Sequence, residues 1–419
     1  MTLIGTGLLN LVAVATRIIT SVVLNKVIAV FVGPAGYAVI GQFQNLVAML
    51  VGVASGGISN GVVKGTAEYA EDYEAQLKIW RTAGTISIGC SVFLCSLLIL
   101  FRAQLANHFL GAMSYSIVFV FLAASMVFIS LNSLLLAVLN GLKQIRIFVV
   151  VNIAGSIIGL VSTGALTFQF GLEGALVALS INQAVTFLVS VLVCRGQYWF
   201  SWKNFYGVVD GRVTLDLLKF AGMAIFPSII MPLTQLVIRN HLIDGFGVNS
   251  AGYWEALSRI SGLYLTIITV PLSVYFLPRF AELRTTAAIR AEVMKGLLLI
   301  VPLAILSASA IYLCRDLIIS LMFTSDFSGM RTLFVWQMPG DVIKVVGWLF
   351  GYLLISKGMA KYYIFTEVVF GFSWYLLVCF FSSFMGLAGA CLAYSLNYVF
   401  YLIVMIAIFG LEFRGGRQG

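Results

Sequence analysis

The chain has 419 residues, of which 61% are hydrophobic and 10% charged, with a mean hydropathy of +1.04 and a formal net charge of +9. A soluble domain carries about 25% charged residues, so this chain has too little polar surface to cover itself in water. The figures exclude a soluble enzyme and point to a membrane protein with many spans.

Stretches of about 20 apolar residues are long enough to cross the hydrocarbon core. They are expected near 5–32, 37–64, 82–103, 114–139, 146–169 and 174–194, and again near 217–242, 250–277, 293–314, 330–356, 361–383 and 387–410. The first begins almost at Met1 without a preceding cationic region and outruns a signal peptide, so it reads as a retained helix. The expected architecture is an all-α integral membrane protein of twelve helices in two sets of six. The first lobe is expected at 1–200, a cytoplasmic linker at 201–216 and the second lobe at 217–419, with Asp210-Gly211 as a turn within the linker.

The two sets are copies of one unit. Residues 171–182 (GLEGALVALSIN) and 386–397 (GLAGACLAYSLN) agree at seven of twelve positions, at an offset of 215. Ala35-Gly36-Tyr37 recurs as Ala251-Gly252-Tyr253, and 111–148 aligns without a gap on 328–365, pairing Gly141 with Gly358. Because six is even, both sets enter from the same side, so the repeats are parallel, an arrangement found in transporters.

Of the 25 Lys and Arg residues, seventeen collect on one side, among them Lys64, Arg146, Arg195, Lys219, Lys357, Arg414 and Arg417. By the positive-inside rule both termini are expected to be cytoplasmic. The same rule accounts for the net charge, which therefore does not argue for nucleic acid. The six cysteines show no metal or disulfide spacing, and His108 and His241 lie far apart, so no metal site and no cofactor are expected. There is no P-loop sequence.

The informative residues are charges inside the spans. A charge at bilayer depth costs a few kcal/mol on the mildest scale, so such side chains must face the bundle interior or a wet cavity. Arg17 and Lys26 fall in the first span, and Arg239 sits in the seventh at a position related to Lys26. Glu255 and Arg259 lie four apart, acid before base, on one helix face. Gln337, Asp341 and Lys344 form one polar stripe, Gln42 and Asn45 share a face, Lys64 ends the second span, and Glu367 stands alone in the eleventh. Snorkelling to an interface and internal ion pairing compete with function for Lys26, Lys64, Arg239, Lys344 and the two acid–base pairs. In-span cations (Arg17, Lys26, Arg239, Arg259, Lys344) outnumber acids (Glu255, Asp341, Glu367) by two. A cationic cavity attracts an anionic substrate, and guanidinium forks suit phosphate oxygens.

The runs Phe31–Tyr37 (FVGPAGY), Gly41–Leu46 (GQFQNL), Leu272–Leu283 (LSVYFLPRFAEL), Trp336–Lys344 (WQMPGDVIK) and Gly351–Lys357 (GYLLISK) resemble the Wzx-type flippases. The likeness spans essentially the whole chain and is nearest the branch that moves lipid III, the common-antigen trisaccharide. It implies a V-shaped pair of six-helix lobes around a central cavity, as in the multidrug/oligosaccharidyl-lipid/polysaccharide exporter superfamily. It also implies alternating access without ATP, assisted by an ion gradient, in the bacterial inner membrane. The implied cargo is an undecaprenyl-diphosphate-linked glycan, either an O-antigen unit or lipid III. A polysaccharide polymerase and a chain-length regulator are implied partners, and a monomer suffices. The cationic diphosphate role carries onto Arg17, Lys26, Lys64, Arg239 and Arg259. Gln42, Asn45, Gln337 and Trp336 are sugar-contact candidates, and Glu255, Asp341 and Lys344 are ion-coupling candidates. A cation-coupled drug exporter shares this fold but would show the opposite charge bias. A major-facilitator transporter lacks support, because Lys64–Tyr69 does not give its loop motif. A membrane polymerase would need a larger periplasmic loop than 104–113 or 315–329.

Overall fold

The computed structural model describes residues 3–55 and 57–413. Arg414 and Arg417, and the side chain of Lys219, lie outside what is described. Thirteen α-helices follow one another: α1 (Leu3–Ala54), α2 (Ser59–Glu68), α3 (Tyr73–Leu100), α4 (Arg102–Leu110), α5 (Ser116–Gly141), α6 (Ile145–Cys194), α7 (Gly211–Phe246), α8 (Val248–Glu282), α9 (Thr286–Leu313), α10 (Arg315–Met322), α11 (Phe334–Ser356), α12 (Ala360–Met385) and α13 (Leu387–Glu412). No strand occurs among the described residues. Nine helical stretches among them are long and apolar enough to cross a membrane, and the chain is a multi-pass membrane protein.

α1 and α6 are each two helices joined at a glycine. Gly33 breaks α1 at φ 66° and Gly171 breaks α6 at φ 56°, both in left-handed backbone that a side chain strains. These breaks fall where the hydropathy pattern separates 5–32 from 37–64 and 146–169 from 174–194. Equivalent positive-φ glycines, Gly247 and Gly386, separate α7 from α8 and α12 from α13, at offsets of 214 and 215. A third pair is Lys143 (φ 57°) after α5 and Gly358 (φ 66°) after α11, again 215 apart. The gapless pairing of Gly141 with Gly358 is therefore two residues out of register. Pairing like glycines misleads here, because the left-handed position is occupied by lysine in the first copy. The length difference lies upstream, where a single turn at Met113–Tyr115 faces a nine-residue 3₁₀ run at Ser325–Leu333.

The second expected span, 37–64, is too long. The helix stops at Ala54 before Ser55-Gly56-Gly57, with Gly57 at φ 61°, and a separate short helix, α2, carries Lys64. α3 starts at Tyr73, nine residues before the expected 82, because the Asp72 carboxylate accepts from Ala75 N at 3.0 Å and caps it. The segments read as loops at 104–113 and 315–329 hold most of α4 and all of α10.

Two compact units divide the chain, residues 1–233 and 234–419. The seam thus falls inside α7 and not at the 201–216 linker. The linker is drawn into the first unit by an aromatic core. Trp199 and Phe205 are buried against Trp80 of α3, with ring centroids 6.0 and 6.1 Å away. Arg81 Nε donates to Lys203 O at 3.2 Å, and Asp210 N donates to Thr82 Oγ1 at 3.1 Å. The start of α7 also packs on α1, since a Cβ added to Gly52 would lie 2.4 Å from Ser228 Oγ. Asp210 is the cap of α7 and not a turn residue: its Oδ1 accepts from Arg212 N at 2.8 Å and Val213 N at 3.1 Å. Those N–H donors, Val213 first, hold the carboxyl below the usual carboxylate range. The cap's contribution is therefore present above the unfolded-state value and lost as pH falls through the lower folded one.

Gly84 is where α3 meets the linker, and a Cβ there would lie 1.9 Å from Phe205 O. Backbone cannot move aside as a flexible side chain can, so Gly84→Ala is expected to undock 199–207 while leaving the spans inserted. Limited trypsin digestion in detergent should then cut at Lys203 or Arg212 at least tenfold faster than in the parent, roughly the effect of 1.4 kcal/mol on a local opening equilibrium. Equal digestion rates would refute this docking.

Candidate functional site

The most developed polar site lies in the second unit. Arg239 stands eight residues before Gly247 and Glu255 eight residues after it. Two helices turning back at that glycine therefore bring the two side chains to the same depth. Arg239 Nη2 donates to Glu255 Oε2, and Arg259 Nε donates to Glu255 Oε1 at 2.8 Å. Arg239 is 1% exposed, and its guanidinium lies 5.5 Å from the Trp254 ring centroid. The Arg259 side chain is 15% exposed, the most open of the three. One carboxylate between two guanidiniums leaves a net charge of +1. The i,i+4 spacing of Glu255 and Arg259 made that pair legible; the arginine arriving across the turn was not.

The same count applies in the first unit. Eight residues before Gly33 stands Asn25, which accepts a hydrogen bond from Tyr37 Oη at 2.6 Å. Arg239 is thus equivalent to Asn25, and Lys26 to Asn240, one residue off the sequence pairing of Lys26 with Arg239.

On α11, Asp341 is fully buried and accepts three hydroxyl donors. Ser261 Oγ (2.6 Å) and Tyr264 Oη (2.8 Å) meet Oδ2, and Tyr394 Oη (2.7 Å) meets Oδ1. Lys344 turns away to the rings of Trp348, Tyr394 and Tyr398, 5.1 to 5.4 Å from their centroids. The expected Asp341–Lys344 pair is therefore replaced by hydroxyl donors on one side and cation–π contacts on the other, arrangements suited to a low-dielectric interior. Gln337, one turn before Asp341, is buried with Oε1 unpartnered, as is the indole Nε1 of Trp374. Trp336 lends its carbonyl to Ser395 Oγ at 2.5 Å.

In the first unit the cations do not converge. Val12, Ile19, Val23 and Val30 of α1 are exposed along one stripe, as lipid-facing residues are. Arg17 is also exposed, but about 140° around the helix from Val12. Its neighbours along that side, Ala13, Thr20, Ser21 and Leu24, are half-buried. Lys26 is half-buried and lies about 40° from Val30, beside the lipid stripe. Nine residues part it from Arg17, so the two project to opposite sides and cannot hold one phosphate together. Lys64, on α2, lies beyond the span. Gln42 is buried, and Asn45 is half-buried with Nδ2 unpartnered.

Three oxygens that sequence reasoning missed lie in α6: Thr163 Oγ1, Thr167 Oγ1 and Asn182 Oδ1, all buried and unpartnered. Asn182 packs where a Cβ on Gly159 would lie 2.5 Å from its amide nitrogen, one turn from Thr163. Isolated Thr and Asn in an apolar helix give no pattern from which this could be read. Such atoms suit ordered water. No group of three or more His, Cys, Asp or Glu side chains that could hold a metal occurs among the described residues.

The family model described as "Polysaccharide biosynthesis protein" matches residues 3–284. Proteins named lipid III flippase from Escherichia coli K12 and from Shigella flexneri are each 29% identical over 415 residues, covering 98% of this chain and of theirs. A multidrug-resistance transporter of the MATE family, solved facing inward, shares the fold at TM-score 0.80 and 13% identity over 95% of this chain and 94% of its own. A transporter of the same superfamily from Pyrococcus furiosus, described as having a binding pocket of reverse polarity, aligns at TM-score 0.69 and 14% identity over 96% and 95%. With a family model covering two thirds of its length, the chain belongs to the polysaccharide biosynthesis protein family.

Proposed function

We propose that this protein is a flippase that moves an undecaprenyl-diphosphate-linked oligosaccharide across the bacterial inner membrane, from the cytoplasmic to the periplasmic leaflet. The observation that carries the reading is the end-to-end match to proteins named lipid III flippase. It is a transporter and not an enzyme. Its cationic residues at bilayer depth suit an anionic headgroup.

Twelve spans in two parallel sets of six fit the chain. α1 and α6 each supply two passes across a glycine, and the left-handed positions recur at 214 to 215 residues. The cations of the cytoplasmic loops put both termini inside. Transport by alternating access needs no nucleotide, and the protein works as a monomer beside a polymerase and a chain-length regulator. Arg17, exposed on α1, and Arg259, the most open side chain around Glu255, serve the diphosphate, with Arg239 held behind Arg259 by Glu255. Lys26 and Lys64 serve at the edges of the path, and Gln42, Asn45 and Gln337 contact sugars. Glu255, Asp341 and Lys344 are the charged groups proposed to take part in coupling to an ion gradient.

Expression in an Escherichia coli strain lacking its lipid III flippase tests the reading. Restored surface common antigen supports it. Absence of the antigen there and of O-antigen in a Wzx-deficient strain, with the protein present in the inner membrane, would refute it.

A further inference from the structure

His241 lies outside everything assigned so far. It is half-buried in α7, six residues before Gly247 and hence about 9 Å from that helix end. Its Nε2 lies 2.9 Å from Ser382 Oγ and its Nδ1 3.9 Å from Cys379 Sγ, both on α12, and the Tyr375 ring meets it edge-on at 6.4 Å. Tyr375 and Cys379 are the titratable groups that touch it from α12. On its own helix, exposed Asp244 lies one turn further on, and Arg239, two residues back, is turned to Glu255.

Both ring nitrogens thus meet groups that can reverse their roles. A hydroxyl and a thiol each donate or accept, so the neutral ring and the imidazolium keep the same two neighbours. Glu255 offers no such freedom: it is clamped by two guanidiniums, so protonating it would disrupt two charge-assisted contacts. An ionisable side chain inside a span points to function by default, and imidazole is the side chain whose charge changes nearest neutral pH.

We propose that His241, seated between Ser382 and Cys379, is the site where this transporter takes up and releases the coupling proton. In the step, a lone pair on one ring nitrogen forms an N–H bond as hydronium gives up a proton to become water, and the reverse occurs on release. No electron is transferred. Glu255 then acts as a fixed charge. The inference rests on the transporter reading and adds the group that carries the ion.

The chain has two histidines, so protein labelled with [¹³Cε1]histidine gives two imidazole signals, assigned with H108N. The experiment follows them from pH 5 to 9 in lipid nanodiscs, with and without undecaprenyl diphosphate. His241 should titrate reversibly, and the added lipid should lower its midpoint by about 0.7 pH unit or more, the shift of a fivefold competition between an inward-moving proton and an outward-moving cargo. C379A/S382A, which keeps the histidine, should move the midpoint without abolishing it. Tryptophan fluorescence measures binding of the same lipid. Absence of binding overturns the transport reading and this inference together. Binding without a His241 titration, or with a titration whose midpoint the lipid does not lower, overturns this inference alone.

Discussion

Replacing Glu255 by alanine is expected to destabilise the C-terminal helices by about 3–5 kcal/mol, the cost of leaving a buried charge without its partner. Arg239 is the reason. It is 1% exposed, and removing Glu255 leaves its guanidinium in an apolar interior with the Trp254 ring for company. Arg259, 15% exposed, can reach water more readily and should contribute less to the loss. Glu255→Gln keeps the shape and the acceptor oxygen but not the charge, so it should fall between alanine and the parent. R239M/E255M removes both charges and should recover most of the stability, because a buried ion pair exchanged for apolar side chains is often neutral. Melting curves of the purified protein in detergent decide this. An E255A protein melting within a degree of the parent would show that the clamp is not the structural element described here.

Arg17→Ala should instead sharply reduce transport without lowering the melting temperature. Arg17 is itself exposed on α1, apart from the apolar stripe of Val12, Ile19, Val23 and Val30, so its loss opens no cavity. Losing one side of a desolvated contact to the diphosphate costs about 2 kcal/mol or more, roughly a 30-fold fall in transport. Arg17→Lys keeps the charge but not the bidentate fork and should retain partial function. Surface common antigen in the complementation strain, normalised to protein level, provides the measurement. Unchanged antigen in the alanine variant would remove Arg17 from the site.

The hydropathy of the chain made most spans legible, and the breaks at Gly33 and Gly171 fell between expected helices. What it did not show follows from local chemistry. Asp72 starts α3 early through a side-chain cap, and α1 ends at Ala54, before Gly57 at positive φ, where the apolar pattern would carry on to Lys64. The linker at 201–216 read as a bare connection because Trp199 and Phe205 lack helical periodicity, yet their burial against Trp80 ties it to the first unit. At the site, spacing within one helix revealed Glu255–Arg259. Contacts that need two helices to meet could not be read: Arg239 on Glu255, and the Ser261, Tyr264 and Tyr394 hydroxyls on Asp341. The sequence also grouped Arg17 with Lys26, although nine helical residues set them on opposite sides.

The most direct test of the central claim is reconstitution. Purified protein is placed in liposomes containing undecaprenyl diphosphate linked to a tritiated sugar, and the fraction open to a membrane-impermeant oxidant is followed over time. The account predicts that lipid initially protected in the inner leaflet becomes accessible within minutes, without nucleotide, and far faster than in protein-free liposomes. Accessibility that stays at the protein-free rate, with folded protein present in the liposomes, would contradict it.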